Sequence, residues 1–306
     1  MTGAQFGYSV AVSGTTIIVG AIDANSTTGA AYIYVRGSSG WPAKPTAALN
    51  DPAATANDVF GWSVAVSGTT VIVGDPVTRQ YQGSAYIYVK GASGWPTTPT
   101  VTLNDPGGAY DQFGSSVSVS GATVVVGALF TDANVGAAYI YVKGASAWPT
   151  QPTVTLNDPA ATSPDIFGVS VAVSGPIAIV GSPGNTSGHA GAAYVYVRGA
   201  SGWPTKPRTT LNDPAATGGN DFGRSVAIAG TTAIVGAPLT QSSAETSYVY
   251  VRGTKGWSTT PSASLSDPAA GASDQFGYSV AVSGDTAIVG ALYTNSGAGA
   301  AYIYGT

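Results

Sequence analysis

The chain has no cysteine, one histidine and one methionine in 306 residues. Without a thiol there is no disulfide, no thiolate metal site and no cysteine nucleophile. A lone His189 leaves transition-metal ligation and Ser-His-Asp catalysis without their other parts. Charge is scarce as well: 8% of residues carry one, against roughly a quarter in ordinary domains. With a net charge of −4 and no basic cluster, a surface that tracks phosphates is excluded, and nucleic acid is not an expected partner. No apolar run approaches the roughly 18–20 residues that span a bilayer, so membrane insertion is not expected. Met1 to Gln5 lead straight into regular sequence and leave no room for a secretion signal. That fits either a cytoplasmic protein or a surface protein whose leader lies outside this sequence. The Thr/Ser/Asn-rich composition favours the surface.

What the chain does have is repetition. Phe-Gly followed by a Ser-Val-Ala-Val-Ser-Gly-like run recurs at Phe6, Phe60, Phe113, Phe167, Phe222 and Phe276, every 53 to 55 residues. A period of this length marks an array of equivalent units, none able to bury its apolar faces alone.

One unit reads as four short strands. Phe60 to Ser67 alternates, with Phe60, Trp62, Val64 and Val66 on one face. Gly68-Thr69 makes a tight turn, and Thr70 to Gly74 is an apolar run that suits a strand buried on both sides. Ala85 to Lys90 alternates again, both tyrosines on one side. Trp95 to Leu103 is expected as a fourth strand, kept at the sheet edge by Pro96 and Pro99. Six such sheets predict an all-β, six-bladed β-propeller, within the usual range of roughly four to eight blades. A linear β-solenoid, the competing architecture, would have shorter turns of chain. The whole of 1–306 is expected to be one domain, with repeats at roughly 6–59, 60–112, 113–166, 167–221, 222–275 and 276–306.

The run Phe-Gly-x-Ser-Val-Ala-Val-Ser-Gly-x-Thr-x-Ile-Val-Gly-Ala-Pro resembles the FG-GAP repeat of integrin α-subunit propellers and related bacterial surface proteins. The nearest literal matches are Phe222-Gly223 with Gly236-Ala237-Pro238, and Phe276-Gly277 with Gly290-Ala291-Leu292. The resemblance implies extracellular recognition more often than catalysis. The resemblance also implies the calcium loop that many such blades carry between their first two strands. Here that place holds only two-residue turns such as Ser13-Gly14-Thr15-Thr16, with Asp285 the one carboxylate among six. Calcium takes roughly six to eight oxygens, so no metal or other cofactor is expected.

Five tryptophans, Trp41, Trp95, Trp148, Trp203 and Trp257, open fourth strands; a sixth would fall beyond Thr306. The last blade is therefore expected to have three strands and a free edge, open to another chain.

Parity puts the second-to-third-strand loops on one side of each blade, and these vary between units. Candidate ligand residues there are Asp23, Asn25, Arg79, Tyr81, Asp132, Asn134, Asn185, His189, Glu245, Tyr293 and Asn295. The five tryptophans are candidates for stacking on sugars. The tyrosine pairs, such as Tyr32/Tyr34, repeat identically and are read as packing between blades, with their hydroxyls reaching the blade edges. Two repeated aspartate sets, one before proline (Asp51, Asp105, Asp158, Asp213, Asp267) and one before Phe-Gly (Asp58, Asp111, Asp165, Asp221, Asp274), are read as turn acceptors. A glycosidase would need one unique carboxylate pair instead. The expected function is a non-catalytic extracellular or cell-surface binding or adhesion module, in its most concrete form a lectin-like glycan binder. Its partners would be glycans or surface proteins. The alternative is a structural subunit of a surface assembly or filament that self-associates through the open edge.

Overall fold

A computed structural model describes residues 3–53, 56–160, 164–184, 190–214, 219–239, 245–269 and 274–305. It is all-β. In the first repeat, β1 (Phe6–Ser13), β2 (Thr16–Ala21), β3 (Ala30–Val35) and β4 (Ala47–Asn50) form an antiparallel sheet in chain order. The second repeat copies it with β5 (Ser63–Ser67), β6 (Thr70–Asp75), β7 (Ser84–Val89) and β8 (Val101–Asn104). The later repeats build equivalent sheets, and the sixth has three strands, ending at Ala300–Gly305. These are six blades of the β-propeller class.

Two compact units emerge. One comprises Met1–Asp132 with Tyr139–Thr155, the other Ala133–Ala138 with Leu156–Thr306.

In the first unit, Ile18, Ile33 and Leu49 of blade 1 pack on Phe60, Val64, Val66, Tyr86 and Tyr88 of blade 2. In the second, Ile179, Val195 and Leu211 of blade 4 meet Phe222, Val226 and Tyr250 of blade 5 in the same way. The second strand of each blade is the most enclosed, as its unbroken apolar run predicts; all six residues of β6 are buried.

The Phe-Gly motif makes the seam between blades. Gly61 has φ +96, a conformation open to glycine. It turns Phe60 out of the simple alternation of the strand and into the core, where it is fully buried. There its ring lies 5.4 Å from that of Tyr86, and burying such a ring stabilises by about 3 kcal/mol. The Gly114 carbonyl of blade 3 presses on Gly74 of blade 2, leaving no room for a Cβ there; Gly61 presses likewise on Gly20. The two glycines of each motif pair thus belong to neighbouring repeats.

Two expectations need correction. The fourth strand is Val101–Asn104 alone, not Trp95 to Leu103. Trp95 follows a tight turn closed by paired Gly91–Gly94 backbone bonds of 2.9 and 3.1 Å. Pro96 and Pro99, which have no N–H to give, hold the next residues off the sheet. The tyrosine hydroxyls do not all reach the blade edge either: those of Tyr88, Tyr141 and Tyr196 are buried without a hydrogen-bond partner.

Candidate functional site

Between the second and third strands the chain does something the sequence does not announce. Ala24–Thr27 and Thr78–Tyr81 each make one turn of left-handed helix. Asn25 (φ 53, ψ 48) and Ser26 (φ 60, ψ 44) set the pattern in blade 1, and Arg79 (φ 58, ψ 43) and Gln80 (φ 61, ψ 49) repeat it in blade 2. Asp132, Ala133 and Asn134 have φ of 51, 59 and 74 in blade 3. For L-residues this conformation costs roughly 1–2 kcal/mol each. The turn is held by a glycine that follows: Gly29 N–H donates to the Ala24 carbonyl at 3.0 Å, and Gly83 N–H to that of Thr78 at 3.1 Å. One scaffold therefore displays Asn-Ser-Thr, Arg-Gln-Tyr and Asp-Ala-Asn in successive blades.

Five of the expected ligand residues, Asn25, Arg79, Tyr81, Asp132 and Asn134, sit exposed on these turns. Asp23 stands half-buried just before the first and accepts from the Gln5 side chain. Asn25 Nδ2 donates to Asn50 Oδ1 at 2.9 Å. Tyr293 is exposed, and Asn295 belongs to the corresponding segment, Thr294–Gly297. Glu245 is buried, not displayed: Phe276 N–H donates to its Oε2 at 2.6 Å. Asn185 and His189 lie outside the described residues. Of the tryptophans, Trp41 is exposed, Trp95 half-buried, and Trp148, Trp203 and Trp257 buried, so the last three offer no face to a sugar.

The structure adds a residue that the sequence reading missed. Tyr110, 64% exposed on the connection into blade 3, stacks on Tyr81, 46% exposed, with centroids 6.2 Å apart. The Gln112 N–H to Tyr81 carbonyl bond, 2.9 Å, fixes the two segments together. Arg79 is close enough for its charge to act on Asp105. An exposed aromatic pair beside a cation and a carboxyl can stack on a ring and bond to its hydroxyls. An aromatic at position 110, in a stretch where other repeats carry small residues, was the available signal.

The second unit holds a cleft of about 280 Å³ lined by Asp221, Arg224, Leu239, Gln275 and Tyr278 among others. Arg224 lies 5.0 Å from the Tyr278 ring centre and donates to its hydroxyl at 3.1 Å. Burial raises the Asp221 carboxyl while Arg224 draws it back down.

The two aspartate sets meet. The aspartates before proline cap their own turns; Asp51 Oδ1 accepts from Ala53 N–H at 2.8 Å and Asp158 Oδ1 from Ala160 N–H at 2.9 Å. Asp105 then lies beside Asp111, and Asp158 beside Asp165, close enough for the partner's charge to act on it. In both pairs burial, then the partner's charge, raises the first carboxyl above its ordinary range. In blade 2 a third carboxylate, Asp75, joins Asp51 and Asp58. Its carboxyl is pushed up to about 7 by burial and by Asp58.

Blades of this kind define a β-propeller array, a fold that supports a binding or structural module. The FG-GAP repeat model matches residues 1–34, 46–88, 98–141, 148–196, 209–251 and 259–304, and the chain belongs to that family. Among curated sequences no relative matches. A solved structure described as a 6-phosphogluconolactonase from Bacteroides uniformis ATCC 8492 is similar in fold, with a TM-score of 0.60 and 10% identity. The match covers 98% of this chain and 85% of that one. No helix among the described residues is long and apolar enough to cross a membrane.

Proposed function

We propose that the chain is a non-catalytic, surface-presented adhesion module that binds glycans on the side carrying the left-handed turns. One observation carries this reading: the same left-handed turn of backbone in three blades presents different polar and aromatic residues. A rigid scaffold with variable display is the arrangement of recognition loops. The stacked Tyr81–Tyr110 pair beside Arg79 is the best-formed candidate contact. The neighbour's name raises lactone hydrolysis, but likeness at 10% identity concerns the fold alone. The test is a glycan array with the purified chain and with Tyr81→Ala and Tyr110→Ala. Selective binding lost in both variants supports the reading; no binding, or binding unchanged by both, overturns it.

A second reading, assembly with further copies, is favoured by the exposure of two blade faces. On β1, Val10 and Val12 are each 67% exposed, whereas their equivalents Val64 and Val66 are 8% exposed. On the last strand Ile303 is 73% exposed, whereas its equivalents Ile33, Ile87 and Ile140 are fully buried. Each exposed face carries the residues that elsewhere form a blade-to-blade seam, so a second copy is its natural occupant.

A further inference from the structure

The end of β6 departs from the repeat. Asp75 stands where the other blades have Ala21, Ala128, Ser182, Ala237 and Ala291. Across the ladder it pairs with Ser84, where other blades have Ala30, Ala137, Ala192, Thr246 and Ala300. Two polar residues thus face each other at a level of the blade that is otherwise mostly alanine.

Asp75 meets the two carboxylates of the connection between blades 1 and 2. Asp51, Asp58 and Asp75 each place a carboxylate oxygen so that all three lie within 4.8 Å of one another. They are 6%, 4% and 0% exposed. Asp75 Oδ1 accepts from Val59 N–H at 3.2 Å and Thr78 N–H at 3.3 Å, which fixes the carboxylate plane. Its Oδ2 has no hydrogen-bond partner, nor has Asp58 Oδ2, although both atoms are buried. Unsatisfied buried carboxylate oxygens are costly and call for a counter-charge or a proton.

At the entries to blades 3 and 4 the same place holds two carboxylates, Asp105 with Asp111 and Asp158 with Asp165, and burial and the partner's charge raise the first of each. There too one buried oxygen, Oδ2 of Asp105 and of Asp158, has no hydrogen-bond partner. The junction of blades 1 and 2 adds a third carboxylate to such a pair. The charges acting on Asp75 are those of Asp58 and Asp51, both of its own sign. The donor set is all oxygen, with no imidazole or thiolate, which selects a hard cation. Calcium–oxygen distances of about 2.3–2.6 Å put opposed ligands about 5 Å apart, and the triad falls within that span.

We infer that Asp51, Asp58 and Asp75 form a site for a calcium-sized divalent cation at the junction of blades 1 and 2. The site is distinct from the first-to-second-strand turns, and it stands independently of the glycan reading. A cation here ties the inter-blade connection to the end of β6, three residues before the turn that carries Arg79 and Tyr81. The experiment is a terbium titration of the full chain, exciting tyrosine, together with thermal melts in calcium and in chelator. Tyr86 is the built-in sensitiser, since the charges of all three aspartates act on its hydroxyl. The expected result is one saturable emission step that calcium reverses, and a melting temperature higher in calcium than in chelator. Asp75→Ala, which restores the residue found in four other blades, and the near-isosteric Asp75→Asn should lose both effects. Emission and melting that are calcium-independent in the wild-type chain, or unchanged in whichever of these variants folds, would overturn the inference.

Discussion

The Ser63 hydroxyl of blade 2 donates to the Gly114 carbonyl of blade 3 at 2.7 Å. That carbonyl is the one lying against Gly74, so a single oxygen is clasped by a hydroxyl and by a bare Cα. The clasp recurs as Ser9 to Gly61, Ser170 to Gly223 and Ser225 to Gly277, at 2.7, 2.9 and 2.7 Å. Gly74→Ala drives a methyl into the backbone of the next blade and should cost about 3 kcal/mol, as overpacking does. Ser63→Ala should cost about 1 kcal/mol. Gly37→Ala, in open space, should change stability by less than about 0.5 kcal/mol. Urea denaturation of the three variants checks the order.

Tyr88 is fully buried, and its hydroxyl has no partner. Removing an unsatisfied polar atom returns its desolvation cost, so Tyr88→Phe should leave stability unchanged or raise it by up to about 1 kcal/mol. Tyr304→Phe should lose about 1 kcal/mol, because its hydroxyl donates to the Ser266 carbonyl at 2.9 Å. Opposite signs in chemical denaturation would confirm that the tyrosine pairs serve packing.

The carboxyl pairs at the entries to blades 3 and 4 set a pH dependence. Asp105 and Asp158 are raised, first by burial. As pH climbs past about 4, aspartates in the unfolded chain lose their protons, while folded Asp105 and Asp158 still hold theirs. The folded state then binds more protons, so stability falls with rising pH until these two carboxyls have ionised as well. Below the ordinary aspartate range the penalty is absent and the stability is fully present. Asp105→Asn with Asp158→Asn should flatten the fall, read from urea midpoints at pH 4, 5.5 and 7 in chelator.

If copies associate through the exposed blade faces, the contact is heterologous, first face to last face. Val10→Asp and Ile303→Asp should each block growth, leaving a mixture of the two able to pair only as a dimer. Light scattering distinguishes this from a chain that is monomeric in every case, which would remove the assembly reading.

Much of the fold could be read from local pattern. The 54-residue period, the alternation of the first and third strands and the apolar run of the second each follow from one stretch of chain. The three-stranded last blade followed from counting. The fourth strand was overextended because Pro96 and Pro99 were taken to keep it at the sheet edge, whereas without N–H donors they hold Trp95 to Pro99 off the sheet altogether. The candidate site was harder to read, since its geometry is made by residues far apart in sequence. Asp51 and Asp75 come from different repeats, and Asp75 belongs to neither repeated aspartate set. Both surprises, Asp75 and Tyr110, lie where the chain breaks its own repeat, and comparing the repeats position by position would have flagged them. The left-handed turns have no such marker, because a backbone tolerating Asn-Ser-Thr, Arg-Gln-Tyr and Asp-Ala-Asn alike leaves no residue signature beyond the glycine that follows.

The Ser–Gly clasp also says how such a chain can change length. Among the described contacts four repeats carry a socket, their own serine and second glycine, filled by a plug, the Phe-Gly carbonyl of the repeat that follows. Duplication or loss of one whole period leaves every remaining joint intact, whereas an insertion of any other length inside a strand destroys two. Lineages of this sequence should therefore differ by whole blades and by loop residues, and hardly at all in between.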